Sequence, residues 1–294
     1  MRNKIRLAPG GRLWRTEEQY SLNIYLSPPI RLLSGCLLSS VPADTDLGPN
    51  MWLLDKGGIA PQIVRCCRKL RGDWMKEAYF TSESIYQKSI DMLQEMREQV
   101  QQRSIPFVPD QSALLVLDMQ KYFLENSSHA YVPSAQAIIP GIGELIKEYT
   151  TKSLPVILTR HLNSTQNAKL MARWWKELIH EANPLSEIIE ELRVPNGIVL
   201  KKSQYDAFHD TSLEDILKKN RVSQVVICGV MTHLCCETTA RSAFMRGFEV
   251  FFTVDGTATY NENFHLATLL NLSHGFVSLA LVNELLTSLK ENGN

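Results

Sequence analysis

Short apolar runs alternate with stretches of helical periodicity from about Gln111 to the end of the chain, and few folds accommodate that pattern. The runs are Ala113–Leu117, Pro155–Leu158, Gly197–Leu200, Gln224–Cys228 and Glu249–Val254, with Phe276–Ala280 as a sixth. Between them lie amphipathic segments near Gly141–Tyr149 and over Asn167–His180, Leu185–Arg193, Ser212–Asn220, Cys235–Arg246 and Asn263–Ser273. Strands that are apolar on both sides and separated by helices imply a parallel sheet covered on each face. The expected fold is therefore three-layer α/β/α, Rossmann-like, with a mostly parallel sheet of about six strands.

This pattern fills residues 106–294 and leaves 1–105 as an N-terminal extension of uncertain fold. One element stands out there, a helix near 83–102 opened by Thr81 and Ser82. The extension also carries Trp14, Trp52 and Trp74, too many large apolar side chains for a purely disordered tail. It is expected to pack on the α/β domain or on a partner subunit.

Lys plus Arg and Asp plus Glu number 31 each, so no excess charge is left to hold nucleic acid or an acidic membrane surface. The basic start runs into Leu7-Ala-Pro-Gly-Gly instead of the apolar core of a signal peptide, and no stretch approaches the roughly 20 apolar residues of a membrane span. A soluble cytoplasmic protein is the expectation. Six cysteines, two pairs of them vicinal (Cys66-Cys67 and Cys235-Cys236), are too sparse for a disulfide framework, and no CxxC occurs. Reduced thiols are expected.

Ligands of such sheets collect beyond the carboxyl ends of the strands. There the sequence places Asp118, Arg160 and His161, Lys201 and Lys202, the run Gly229 to Cys235, and Asp255. Cys235 follows a strand and a polar loop at the start of a helix, where free N–H groups and the dipole favour a thiolate; a buried packing cysteine fits the local pattern equally well. Asp118 reads as a partly desolvated base or as a helix cap. Lys202 reads as the partner of both or as a solvated surface lysine like Lys201.

Together these residues resemble the isochorismatase-like cysteine hydrolase family. Leu114-Leu-Val-Leu-Asp-Met-Gln120 is similar to its first-strand acid motif, Lys202-Ser-Gln-Tyr-Asp-Ala-Phe208 to its lysine motif, and Gly229-Val-Met-Thr-His-Leu-Cys-Cys-Glu-Thr-Thr-Ala240 to its nucleophile motif. The likeness covers about Ala113 to Leu285. It implies an Asp118-Lys202-Cys235 triad that cleaves an amide-type C–N bond of a small molecule through a thioester. It also implies an oxyanion hole from the backbone N–H groups of Met231 and Cys235, after a cis Val230-Met231 bond.

Gln120, Phe123, Tyr205, Phe208 and Thr232 flank these motifs and are candidates for substrate contact. Arg160 and His161 could bind an anionic group, and His161 could equally order a loop. Of the adjacent Trp174 and Trp175, at most one can face a pocket; Trp174 is the candidate, with core packing the simpler role for either. Two departures matter. Asp206 stands where the family usually has Ser, and Arg160-His-Leu-Asn163 replaces the Asp-x-His metal set of nicotinamidase-like members, so no metal and no cofactor are expected. Two rival readings stay open: an isochorismatase-type vinyl ether hydrolase using Asp118 as acid, with Lys169 and Arg173 to meet carboxylates, and a retired hydrolase serving as a binding or assembly subunit. Assembly into a homo-oligomer is expected.

Overall fold

The computed structural model describes residues 76–100, 105–195 and 197–291, all within the compact unit Arg68–Asn294. Trp14, Trp52 and Trp74 lie outside the described residues. Six strands form one all-parallel sheet: β1 (Ser112–Leu117), β2 (Val156–His161), β3 (Ile198–Lys202), β4 (Gln224–Val230), β5 (Glu249–Ala258) and β6 (Ser278–Ala280). Their order is β3-β2-β1-β4-β5-β6. The chain thus winds outward in one direction from β1 and in the other from β4, and the switch point lies between these two central strands.

Every residue of β1 and β4 is buried, which needs cover on both faces and accounts for their unbroken apolar runs. Edge strand β3 is different, for its first two residues are exposed while Leu200 and Lys202 are buried. The cover comes from α1 (Ile85–Gln99), α2 (Lys121–Leu124), α3 (Ala135–Thr151), α4 (Met171–Trp174), α5 (Leu213–Lys219), α6 (Glu237–Met245), α7 (Glu262–Gly275) and α8 (Val282–Glu291). α3 lies across β1, β2, β4 and β5 and packs on α8.

Helix α1 occupies the stretch expected near 83–102. Ser89, Met92, Leu93 and Met96 are its buried residues, a single stripe at helical spacing. Those three apolar side chains join the buried cluster of the sheet, as do Tyr79 and Phe80 before the helix. Burial contributes roughly 1.5–3 kcal/mol for each.

The structure departs from the sequence expectation between β2 and β3. Asn167–His180 holds only the single turn α4, and Leu185–Arg193 holds two 3-10 turns, Pro184–Ser186 and Glu190–Leu192. The cause is tertiary. Lys121 N–H donates to Glu187 O and Ile189 N–H donates to Met119 O, so the backbone at 187–189 extends β1's continuation instead of closing helical bonds. Asn163 N–H likewise holds Ile179 O.

Candidate active site

Leu117 pairs with Gly229 across the switch point, and at Gly229 the backbone leaves no room for a side chain. Its φ is +115°, and a Cβ there would lie 2.1 Å from Leu117 O. The ends of β1 and β4 can therefore run side by side into Asp118 and the turn that carries Cys235. Asp118 takes a left-handed φ of 52°, an unusual conformation for a non-glycine residue. Thr159 of β2 holds it there: Asp118 N–H donates to Thr159 Oγ1 at 3.0 Å, and that hydroxyl donates to Asp118 Oδ1 at 2.6 Å. The following bond Val230-Met231 is cis, as the family likeness implied, and a π turn over Thr232–Cys236 leads into α6.

His161 and Lys202 end β2 and β3 and face each other in register. Lys202 Nζ lies 2.8 Å from Asp118 Oδ2 and donates to Cys235 Sγ at 3.2 Å and to Gln204 O at 3.0 Å. Its fourth neighbour is His161 Nδ1 at 3.2 Å. Since an ammonium can only donate, His161 accepts at Nδ1 and carries its proton on Nε2, which donates to Asn163 Oδ1 at 3.1 Å. All four side chains are buried.

The electrostatics follow from burial working against pairing. Burial would raise the Asp118 carboxyl, but Lys202 and His161 beside it outweigh that and hold it below the usual range. Burial would also strip the proton from Lys202, yet Asp118 and the Cys235 sulfur keep it charged, its pKa raised. His161 is lowered to about 4, chiefly by burial and then by the Lys202 charge. Burial and Asp118 push the Cys235 thiol up, against Lys202. Burial thus works against the thiolate that the helix dipole would favour, because Cys235 sits inside the π turn ahead of α6 and is 6% exposed. The directions of these shifts favour a thiol beside a carboxylate and an ammonium. Asp118 Oδ1 is taken by Thr159, whereas Oδ2 accepts no well-aligned hydrogen bond and is the oxygen open to a proton.

Donor atoms of Asp118, His161 and Cys235 lie within 4.8 Å of one another, a spacing that could hold a metal ion. Lys202 Nζ is within 3.2 Å of an atom of each, so a cation already occupies that position.

Above the thiol lies a small pocket with a cavity volume of about 50 Å³. Aromatic side chains dominate its walls, among them Tyr122, Phe123, Trp175, Tyr205 and Tyr260, with His129, Asn163 and Glu177 as polar positions. Phe123, His161, Tyr205, Met231 and Cys235, singled out from the sequence, line it.

Gln120, Arg160, Trp174, Phe208 and Thr232 do not. Alternation along β2 turns Arg160 to the opposite side from Thr159 and His161. There its guanidinium binds Ser186 Oγ and Glu187, each at 2.8 Å. Gln120 is fully buried as a clasp, accepting from His161 N–H at 2.7 Å and donating to Ser186 O at 2.7 Å. Phe208 stacks on Phe248, and Thr232 Oγ1 meets His265 Nδ1 at 3.2 Å. Trp174 is 80% exposed, while Trp175 forms the wall and donates from Nε1 to Tyr205 Oη at 2.8 Å. Thr159 escaped the sequence reading although it lies in β2 next to the strand-end residues chosen. His129, Glu177 and Tyr260 had no local signal at all.

The sequence model of the Isochorismatase domain matches residues 112–284, more than half of the chain. The chain belongs to the isochorismatase-like hydrolase family. Nicotinamidase 3 of Arabidopsis thaliana is 40% identical to it over 187 residues, 62% of this chain and 90% of that protein. Enterobactin synthase component B of Escherichia coli is 30% identical over 187 residues, 61% of this chain and 64% of that one. The crystal structure of a cysteine hydrolase from Pseudomonas syringae pv. phaseolicola shares the fold of this family member, with a TM-score of 0.60 and 24% identity over 65% of this chain and 97% of that one. Among the described residues, no helix is long and apolar enough to cross a membrane.

Proposed function

We propose that the protein is a cysteine amidase, hydrolysing a C–N bond of a small, flat, uncharged amide such as nicotinamide. The observation that carries this reading is the buried Asp118–Lys202–Cys235 cluster, with one ammonium 2.8 Å from the carboxylate and 3.2 Å from the sulfur. Cys235 Sγ attacks the amide carbon while its proton passes to Asp118 Oδ2. The carbonyl oxygen becomes an oxyanion, held by the backbone N–H groups of Met231 and Cys235. Asp118 then gives the proton to the leaving amine, the C–N bond breaks, and a thioester remains. Water, deprotonated by the same carboxylate, releases the acid and restores the thiol. Lys202 stays charged throughout and keeps Asp118 ionised between steps.

The pocket favours this over vinyl ether cleavage. Isochorismate carries two carboxylates, yet among the described residues no Lys or Arg lines the cavity, and Glu177 adds a negative charge. Lys169 is drawn to Asp210 at 3.8 Å, and Arg160 is committed to Glu187. Flat aromatic walls suit a neutral ring instead. Incubation of the purified protein with nicotinamide and, separately, isochorismate tests the choice. Ammonia release from the amide is expected; pyruvate release from isochorismate without amide turnover would overturn the reading.

A further inference from the structure

The segment 76–80 lies upstream of the residues matched by the family model, before α1, yet it touches two parts of the site. Glu77 N–H donates to Tyr260 O at 2.8 Å, and Lys76 Nζ lies 4.5 Å from the centre of the Tyr260 ring and donates to His129 O. Tyr260 and His129 are both pocket walls. Phe80 N–H and the Glu77 carbonyl are tied to Ser134 Oγ, and Glu262 N–H donates to Glu77 Oε1.

Tyr79 reaches furthest. Its ring is buried, 5% exposed, between Phe80 and His265. Its hydroxyl accepts from Thr259 N–H at 3.0 Å and donates to His265 Nδ1 at 2.9 Å. Burial keeps His265 neutral, lowered to about 3, so Nδ1 is free to accept. The same nitrogen lies 3.2 Å from Thr232 Oγ1, and Thr259 Oγ1 pairs with His233 Nδ1 at 2.5 Å. Thr232 and His233 are the first two residues of the π turn that carries Cys235. One phenol therefore anchors that turn by two routes: its oxygen accepts from the Thr232 hydroxyl, and through Thr259 it reaches His233.

We propose that Tyr79 is a positioning residue for the nucleophile, and that the segment Lys76–Phe80 is an integral strap of the active site supplied from outside the family domain. The proposal rests on Cys235 being the nucleophile. A reactive thiol must sit on line between Asp118 Oδ2 and the substrate carbon, and a misplacement near 1 Å costs up to about a hundredfold in rate. Removing the hydroxyl frees the start of the turn while leaving the aromatic packing in place.

The test uses the full chain, with iodoacetamide as a probe that needs no knowledge of the substrate. Alkylation of Cys235 is followed by peptide mass spectrometry, with buried Cys228 as internal reference, and nicotinamide hydrolysis is followed in parallel. Tyr79→Phe is expected to slow Cys235 alkylation and to lower kcat by about tenfold each, with KM within about twofold. Leu93→Ala, a core truncation in α1, is expected to lower the melting temperature yet leave alkylation per folded molecule within about twofold. The Tyr79→Phe/Thr232→Val double variant is expected to lose no more than the worse single one, since both act on one linkage. An unchanged or faster alkylation in Tyr79→Phe, or equal slowing in Leu93→Ala, would overturn the strap. Wild-type Cys235 no more reactive than Cys228 would instead remove the nucleophile assignment, and the strap with it.

Discussion

The buried charged cluster beneath the pocket, here its floor, stands on strand ends, whereas the walls come largely from the loops between them. Asp118, His161 and Lys202 end or directly follow β1, β2 and β3, and are at most 6% exposed. His129, Trp175 and Glu177 sit on irregular backbone, with the Glu177 side chain 56% exposed. The floor is over-determined, because ladder register and a closed set of charges both fix it. The walls rest on a few long-range bonds such as Trp175 Nε1 to Tyr205 Oη. On the amidase proposal, chemistry belongs to the rigid half and selection among amides to the adjustable half.

Breaking the floor is expected to be costly. Lys202→Met leaves the Asp118 carboxylate buried without its counter-charge, and should cost roughly 3–5 kcal/mol in urea unfolding together with the activity. A loss below about 1 kcal/mol would mean that the carboxylate reaches water and that the floor is not closed.

Buried histidines of the floor and of the elements behind it should set the acid limit. His161 and His233 are lowered to about 4 and His265 to about 3, all chiefly by burial, from an ordinary 6.5. Between those values the unfolded chain binds more protons than the folded one, so stability falls as pH drops. The slope should approach about 1.4 kcal/mol per pH unit for each histidine below pH 6.5. Melting temperatures from pH 7.5 to 4.5 check it; a flat profile would show that these rings are solvated.

Changes in the walls should move KM and spare the fold. Trp175→Ala is expected to raise KM for the amide by about tenfold, the loss of one aromatic face, while Trp174→Ala alters stability by less than about 0.5 kcal/mol and KM hardly at all. Equal effects from the two would deny that only Trp175 faces the substrate. Smallest of all, Arg160→Ala should leave KM within about twofold and cost about 1 kcal/mol of stability, for the side chain binds Ser186 and Glu187 and not the ligand.

This contrast also explains what could be read from the sequence. Strand runs such as Ala113–Leu117 carry their burial in their composition, so the sheet and the residues at its carboxyl edge were legible; β2 and β3 merely run on to include His161 and Lys202. The walls were not legible, because the pairing of 187–189 with 119–121 overrides helical periodicity that is present in the sequence. Arg160 was misjudged for a related reason. It stands beside His161, but strand alternation points neighbours to opposite sides once β2 extends through both. Tyr79 gave no signal, since its partners Thr259 and His265 lie some 180 residues away.

The central claim is that Cys235 acts as the nucleophile with Asp118 as its base, and ammonia release from nicotinamide by Cys235→Ala tests it most directly. Loss of turnover by about 10⁴-fold or more, in a protein whose melting temperature is unchanged, is the expected result. Amide turnover that survives the substitution would contradict it and leave Asp118 to act without the thiol.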